Sequence, residues 1–268
     1  VRAFIKYPGN KTKLLEAMDP LFPKSIGKYI EPFLGSGSIY FHLAERIRED
    51  AYLNDANVDL LNMYIDLRDS PQDIIDQLYR FEELNDEDFY YYVRERYNND
   101  DILLGTERSA ALLYLNRSGF NGNYRVNAKG KYNVPYGHYK KPKIVFEDLL
   151  REASMFLKKR NPNLSSLDYK DLLKVAREND FVYMDPPYDT LDKMAPQQYT
   201  KNRFCQTACA EEFKRLSSLG AFVCMSNADT PLVRELYRDF DLTSLNVVRT
   251  IARSTRGTAS ELVIRNYL

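Results

Sequence analysis

The stretch YIEPFLGSGSIYFHLAERIREDAYLND (29–55) decides the fold. YIEPF (29–33) is a short apolar run that ends in a glycine turn, LGSGS, and a helical pattern, IYFHLAERIRE, follows it. AYLND (51–55) is a second short strand, and VDLLNMYIDLR (58–68) has the spacing of an amphipathic helix. Strand, turn, helix, strand is the unit of an open, mostly parallel sheet. The glycines let the chain turn tightly and let a ligand approach the main chain. They do not spell the G-x-G-x-x-G fingerprint of dinucleotide binders, nor a P-loop. Asp55 follows at the tip of the next strand, about 20 residues on, where a carboxylate can accept both hydrogen bonds of a ribose diol. A nucleoside ligand without a pyrophosphate, such as S-adenosylmethionine, suits this pair better than NAD.

Working outward, Pro71 to Asn116 is helical in pattern throughout: PQDIIDQLYRFEEL, DEDFYYYVRERY and TERSAALLYLN. RSGFNGNYRVNAKGKYNVPYGHYKKPK (117–143) is rich in glycine and asparagine and punctuates like hairpins and loops. Alternation resumes with DFVYMD (180–185), a helix near 207–218, GAFVCMS (220–226) and a helix near 231–238. LTSLNVVRT and ELVIRNYL, joined by ARSTRGTAS, suit an antiparallel hairpin at the sheet edge. The expected class is α/β: a Rossmann-like, mostly parallel sheet with an antiparallel edge hairpin, plus a helical domain bearing a hairpin loop. The expected division is 1–70 for the first part of the α/β domain, 71–144 for the helical insertion and 145–268 for the second part.

The 268 residues, 44% hydrophobic and 28% charged, suffice for one large domain or one with an insertion. No stretch approaches the roughly 20 apolar residues that span a bilayer. The first residues, VRAFIKYPGN, hold no apolar signal core, and Val1 in place of methionine reads as a start from which a few residues are missing. An intracellular place is expected. Three cysteines, Cys205, Cys209 and Cys224, fit a reducing compartment. Only His42 and His138 could join them around a metal, so small buried thiols are expected, and no metal.

Lys+Arg and Asp+Glu both number 38, so net charge is silent about partners. Distribution is not. From Arg108 to Phe146 there is no acid, while Arg108, Arg117, Arg125, Lys129, Lys131, Lys140, Lys141 and Lys143 are present. Leu242 to Ser260 holds Arg249, Arg253 and Arg256, again without an acid. A neutral chain with one basic face has the footprint of a polyanion binder.

FVYMDPPYDT (181–190) closes a strand with Asp185-Pro186-Pro187-Tyr188. Two prolines remove two backbone donors and fix two φ angles. A carboxylate and a ring are thereby frozen onto a rigid corner at the sheet's carboxyl edge, where ligands bind. The carboxylate and the carbonyl of the following proline are two acceptors at fixed separation, which matches an exocyclic amine with two N–H donors. The amine of adenine is a poor nucleophile because its lone pair is delocalised. Acceptors gripping both hydrogens favour a pyramidal nitrogen and stabilise the positive charge that develops as a methyl group transfers. Tyr188 would stack on the base, which must first leave the duplex. A plain strand-terminating turn is the bland alternative. No P-C motif stands beside a strand, which disfavours cytosine-C5 chemistry.

These motifs resemble those of the Dam-type DNA adenine-N6 methyltransferases over nearly the whole chain. KYPGNK (6–11) resembles the amino-terminal KWxGGK motif, EPFLGSGS (31–38) the cofactor loop and DPPY (185–188) the catalytic motif. LYLNRSGFNGNYRVNAKGKYNVPYGHYKKPK (113–143) is similar to the recognition hairpin almost residue by residue, and RSTRGTASELVIRNY (253–267) to the carboxyl-terminal strand and the loop before it. DPPY also occurs in cytosine-N4 and rRNA guanine-N2 enzymes, and the recognition segment separates them.

The resemblance implies that Tyr7, Lys11, Phe33, Gly35, Asp55 and Asp185 bind S-adenosylmethionine, and that Asp185, Pro186 and Tyr188 hold the target adenine. It implies that Lys6 and Arg125 read guanines of a GATC site in double-stranded DNA, that Pro135 touches a thymine methyl, and that Tyr139 wedges into the opened stack. Arg117 and Asn121 become backbone or orphan-base contacts. Tyr7 stands where the family carries Trp, Asn123 where it carries an apolar residue that helps recognise thymine, and His138 where it carries Arg. Asn123 allows the third base pair to be read differently, and His138 stands beside the wedge. One flipped base needs one active site, so a monomer is expected. Competing readings are an RNA adenine or guanine amine as acceptor, and an inactive DNA-binding module.

Overall fold

The computed structural model describes residues 1–99, 103–189, 204–252 and 255–268. The strands are β1 Tyr29–Glu31, β2 Ala51–Asn54, β3 Asn163–Ser165, β4 Phe181–Met184, β5 Phe222–Ala228, β6 Asp241–Ala252 and β7 Thr255–Arg265. They form one sheet in the order β3-β2-β1-β4-β5-β7-β6. β3, β2, β1, β4 and β5 run parallel, and β7 pairs antiparallel with both β5 and β6. The chain winds outward from β1 to one edge and returns at β4 on the other side. The carboxyl ends of β1 and β4 therefore flank the switch point of the sheet, the crevice where open α/β sheets bind ligands.

The helices are α1 Leu15–Met18, α2 Ser38–Leu43, α3 Val58–Asp69, α4 Pro71–Glu83, α5 Glu87–Tyr97, α6 Gly105–Ser118, α7 Glu147–Arg160, α8 Tyr169–Leu172, α9 Gln206–Ser218 and α10 Pro231–Leu236. Both faces of the sheet are covered, and alternate strand residues serve the two cores. Phe181 and Tyr183 of β4 pack with Tyr29, Leu53 and Val263 on one face; Val182 and Met184 pack with Ile30, Val223 and Leu262 on the other. The first core continues without a break through α3 and α7 into α4, α5 and α6, where Phe81, Tyr90 and Tyr114 are buried. α9 and α10 close the second core through Phe213 and Val233. Helix starts carry their own signals: Asn57, Asp86 and Thr230 cap α3, α5 and α10 with side-chain oxygens.

The structure departs from the sequence reading in four places. The helix after the glycine turn ends at Leu43 and tightens to a 3₁₀ turn over Ala44–Arg46. Ile26 takes the Arg46 carbonyl and receives the Arg48 N–H, which draws the chain out of the helix before β2. The edge hairpin runs through most of ARSTRGTAS, with Ala252 opposite Thr255. Backbone pairing extends there through a polar sequence with no apolar alternation to announce it. Residues 147–175, to which the sequence reading assigns no element, hold α7, β3 and α8. Cys209 and Cys224 are buried as expected, but Cys205 is exposed, because it stands before the first turn of α9 rather than on its packed face. Arg253 lies outside the described residues, as do the side chains of Arg249 and Arg256. Among the described residues no helix is long and apolar enough to cross a membrane.

Candidate active site

The glycine turn leaves β1 and is folded back against β2. Leu34 donates its N–H to the Asn54 carbonyl at 2.8 Å, and buried Asn54 donates its side-chain amide to the Pro32 carbonyl at 3.2 Å. Gly37 sits at φ +67°, where a Cβ would stand 3.0 Å from the Tyr64 hydroxyl and 3.1 Å from the Phe41 ring. The turn is thus packed against α2 and α3 at a point where only glycine fits.

Asp55 leaves β2 beside this turn. Its Oδ2 accepts the Gly35 N–H at 2.9 Å and its Oδ1 the Asn57 N–H at 3.0 Å. Burial raises its carboxyl above the ordinary range, and the two N–H bonds oppose that rise. A carboxylate oxygen has more than one acceptor site, so a ribose diol fits alongside these bonds. Phe33 is half-buried, 5.2 Å from the Tyr169 ring and 5.8 Å from the Phe204 ring. Tyr7 closes the other side, stacked on Tyr124 at 5.3 Å and bonded through its hydroxyl to the Asn57 amide at 3.3 Å. A carboxylate acceptor beside half-buried rings suits a nucleoside.

Asp185 follows β4 across the switch point from this turn. Its Oδ2 accepts from the Lys11 ammonium at 2.5 Å, and Lys11 also donates to the Gly9 carbonyl at 2.6 Å. Lys11 is 2% exposed and Asp185 is half-buried, so the pair is largely withdrawn from solvent. Glu261, 3% exposed and on β7, stands 3.6 Å from the same ammonium. Tyr188 donates its hydroxyl to Glu261 at 2.5 Å, and its ring centroid lies 5.0 Å from the Lys11 nitrogen. One cation thus sits between two carboxylates and against one ring. Burial pushes the Asp185 carboxyl up to about 6; the Lys11 charge pulls it down and the Glu261 charge pushes it up. Burial, then the Asp185 and Glu261 charges, push the Tyr188 phenol well above its ordinary value, so it stays a donor. Among the described residues, the buried Asp185 Oδ1 has no hydrogen-bond partner.

The corner itself is braced from behind. Gln206 donates its amide to the Pro187 carbonyl at 2.8 Å and accepts from the Asn227 amide at 3.0 Å. Asn227 accepts the Asp189 N–H at 3.2 Å, and Thr230 donates to the Asp189 carboxylate at 2.7 Å. Gln206, Asn227 and Thr230 are all buried. A satisfied polar chain of this kind fixes an orientation, here that of the peptide after Pro187. Sequence reasoning missed Gln206, Asn227 and Glu261. The last had a signal, an acid at the head of the apolar run ELVIRNYL.

Most of the predicted DNA-contact residues are exposed. Along 121–125 exposure alternates, so that Asn121, Asn123 and Arg125 face outward while Gly122 and Tyr124 are buried. Arg125 is held to the hairpin by bonds to the Asn133 side chain at 2.7 Å and the Asn133 carbonyl at 3.2 Å. Pro135 is exposed, and its carbonyl accepts the Phe120 N–H at 2.9 Å. Tyr139 is 39% exposed and accepts the Asn121 N–H at 2.9 Å. His138 is exposed at φ +51°, 3.8 Å from Glu87. Lys6 is exposed beside Gly122, its ammonium lowered from the ordinary range by burial of part of the side chain and by the Arg117 charge. Arg117 stands apart. Its guanidinium donates to the Phe4 carbonyl and lies 4.0 Å from the centre of the Phe146 ring, and burial lowers it to about 10.

The chain is 37% identical over 275 residues to the type II methyltransferase M1.LlaDCHI of Lactococcus lactis subsp. cremoris, across all of this chain and 96% of that protein. It is 33% identical over 289 residues to the type II methyltransferase M.MjaIII of Methanocaldococcus jannaschii, across all of this chain and 99% of that protein. It is 35% identical over 263 residues to a DNA adenine methylase of Vibrio cholerae, across 96% of this chain and 92% of that protein. Residues 7–251 match the sequence profile of one family, and the chain belongs to it: the D12 class N6 adenine-specific DNA methyltransferases.

Proposed function

We propose that this enzyme methylates the N6 amine of an adenine flipped out of duplex DNA, with S-adenosylmethionine as donor and GATC as the preferred site. The observation that carries this reading is the buried Asp185 Oδ1, an acceptor without a partner among the described residues, on a corner stiffened by two prolines. An acceptor left unpaired in a buried site costs about 1–3 kcal/mol. An amine N–H would satisfy it.

Tyr7, Lys11, Phe33, Gly35, Asp55 and Asp185 would hold the cofactor. When bound, it supplies an electrophilic methyl group. Asp185 Oδ1 and the Pro186 carbonyl accept the two N–H donors of the amine and aim its lone pair. Tyr188, anchored through its hydroxyl to Glu261, stacks on the base. Lys11 keeps Asp185 ionised, and the carboxylate stabilises the positive charge on nitrogen in the transition state. The excess proton leaves after transfer, and no covalent enzyme intermediate is required.

Outside the pocket, Lys6 and Arg125 present long cations to guanine O6 and N7, contacts each worth about 1–3 kcal/mol of discrimination. Asn121, Asn123, Pro135, His138 and Tyr139 line the same exposed surface, and Tyr139 fills the gap the adenine leaves. Arg117 supports this surface from within through Phe4 and Phe146. The test is a duplex with 2-aminopurine at the target position. Binding to a GATC duplex should raise its fluorescence strongly, and binding to a duplex lacking the site should not. A rise in neither duplex would sink the flipping, and an equal rise in both would sink the site preference.

A further inference from the structure

Asn116 lies near the end of α6, is 1% exposed and belongs to no group discussed above. Its amide accepts the Lys6 N–H at 3.1 Å and donates to the Lys6 carbonyl at 2.7 Å and to the Gly122 carbonyl at 3.0 Å. One side chain therefore holds both main-chain groups of Lys6, as a neighbouring strand would, across a sequence separation of 110 residues. The same side chain ties them to the turn Phe120–Gly122. Only an amide can do this: it needs one acceptor and two donors at one short reach. Aspartate would turn acceptors toward both carbonyls, and glutamine would overshoot by a methylene.

Gly122 completes the arrangement. It sits at φ +63°, and a Cβ there would overlap Lys6 Cδ and stand 3.3 Å from its ammonium nitrogen. The stem of Lys6 thus lies directly on a bare Cα of the exposed turn that carries Asn121 and Asn123. A four-carbon stem in water samples many rotamers. Here the main chain at its root is fixed by Asn116, and its middle lies on Gly122.

We propose that Asn116 and Gly122 are specificity-determining positioning residues that aim the Lys6 ammonium at one base pair of the recognition site. The inference rests on the reading of Lys6 as a guanine contact. It assigns to the pair no part in methyl transfer: with the clamp opened, the amine pocket around Asp185 keeps its own bonds, but Lys6 no longer distinguishes its base pair from the alternatives.

The test is kcat/KM on a set of duplexes with the preferred site and each single base-pair substitution of it, for wild type and for Lys6→Ala, Asn116→Asp and Gly122→Ala. Melting temperature and cofactor affinity by calorimetry are followed in parallel. All three variants should lose selectivity at the same base pair, by roughly 5- to 150-fold in the ratio of kcat/KM values. The kcat of Asn116→Asp and Gly122→Ala on the preferred site should stay within a few-fold of wild type. Selectivity relaxed by Lys6→Ala but intact at that base pair in Gly122→Ala and Asn116→Asp would overturn the clamp and leave the guanine contact standing. A uniform loss on all duplexes in the two clamp variants, with Lys6→Ala still selective at one pair fewer, would reduce both residues to structural roles. Lys6→Ala that relaxes no position would overturn the guanine reading, and the clamp with it.

Discussion

Replacing Asp185 by Asn should separate activity from stability, and in opposite directions. The side chain keeps its size, and Lys11 keeps the Gly9 carbonyl and the Glu261 carboxylate 3.6 Å away. An amide has one oxygen, however, and if that oxygen faces Lys11, an N–H donor points at the amine where the wild type offers an acceptor. Loss of one preorganised electrostatic contact in a transition state costs roughly 10²–10³ in rate. Stability follows the carboxyl's titration. Its ordinary value of 3.8 rises to about 6 in the folded chain, with the Lys11 attraction already included. A raised carboxyl favours folding only while it is protonated, so its contribution is present below the unfolded value and lost as pH rises through about 6. A rise of two pH units makes the ionised carboxylate a net burden on the order of 3 kcal/mol at neutral pH. The Asp185→Asn variant escapes that burden. It should melt several degrees higher than wild type at pH 8 and draw level toward pH 4. Single-turnover transfer of labelled methyl to unmethylated duplex DNA at saturating cofactor measures the first effect, and thermal unfolding across pH the second. Turnover within tenfold of wild type, or a melting temperature lowered at pH 8, would refute the reasoning.

Three other outcomes follow from the same geometry. Wild-type kcat/KM should fall about tenfold per pH unit below about 6, because the protonated Asp185 no longer accepts from the amine; a flat profile down to pH 5 would count against its role. Lys11→Met removes the cation between Asp185 and Glu261, and breaking a buried pair from one side costs about 3–5 kcal/mol. Its melting temperature should drop and the acid limb of its residual activity move above 6, and a limb that stays in place would show that Lys11 does not govern Asp185. Arg125→Ala should relax selectivity at one guanine by about 1–3 kcal/mol, whereas equal weakening on every duplex would make it a phosphate contact.

What could be read from sequence was what is local. The turn LGSGS, the acid Asp55 at a strand tip and the corner at Asp185 each carry their chemistry within a few residues, and the structure brings them to one switch point. The hairpin's outward residues were legible for the same reason, since glycine and asparagine punctuation marks a surface loop. What sequence could not show are bonds whose partners are far apart. Glu261 meets Tyr188 across 73 residues, and Asn116 meets Lys6 across 110. Nothing near either residue announces the other. β3 is three residues long, none of them buried, so it has no apolar pattern, and pairing with β2 alone defines it. Arg117 shows the converse: a cation in an acid-free run, read as a surface charge, is spent on a carbonyl and a ring inside the fold.

The central claim is that the corner at Asp185 grips the adenine amine for methyl transfer. It is tested most directly by incubating unmethylated duplex DNA with labelled S-adenosylmethionine, identifying the modified base and mapping its sequence context, for wild type beside Asp185→Asn. The account expects N6-methyladenine from wild type, concentrated at GATC, and a loss of roughly 10²–10³-fold in the variant. N6-methyladenine in another context would keep the chemistry and shift the reading of Asn123 and His138. Label on another base, or a variant as active as wild type, would contradict the claim.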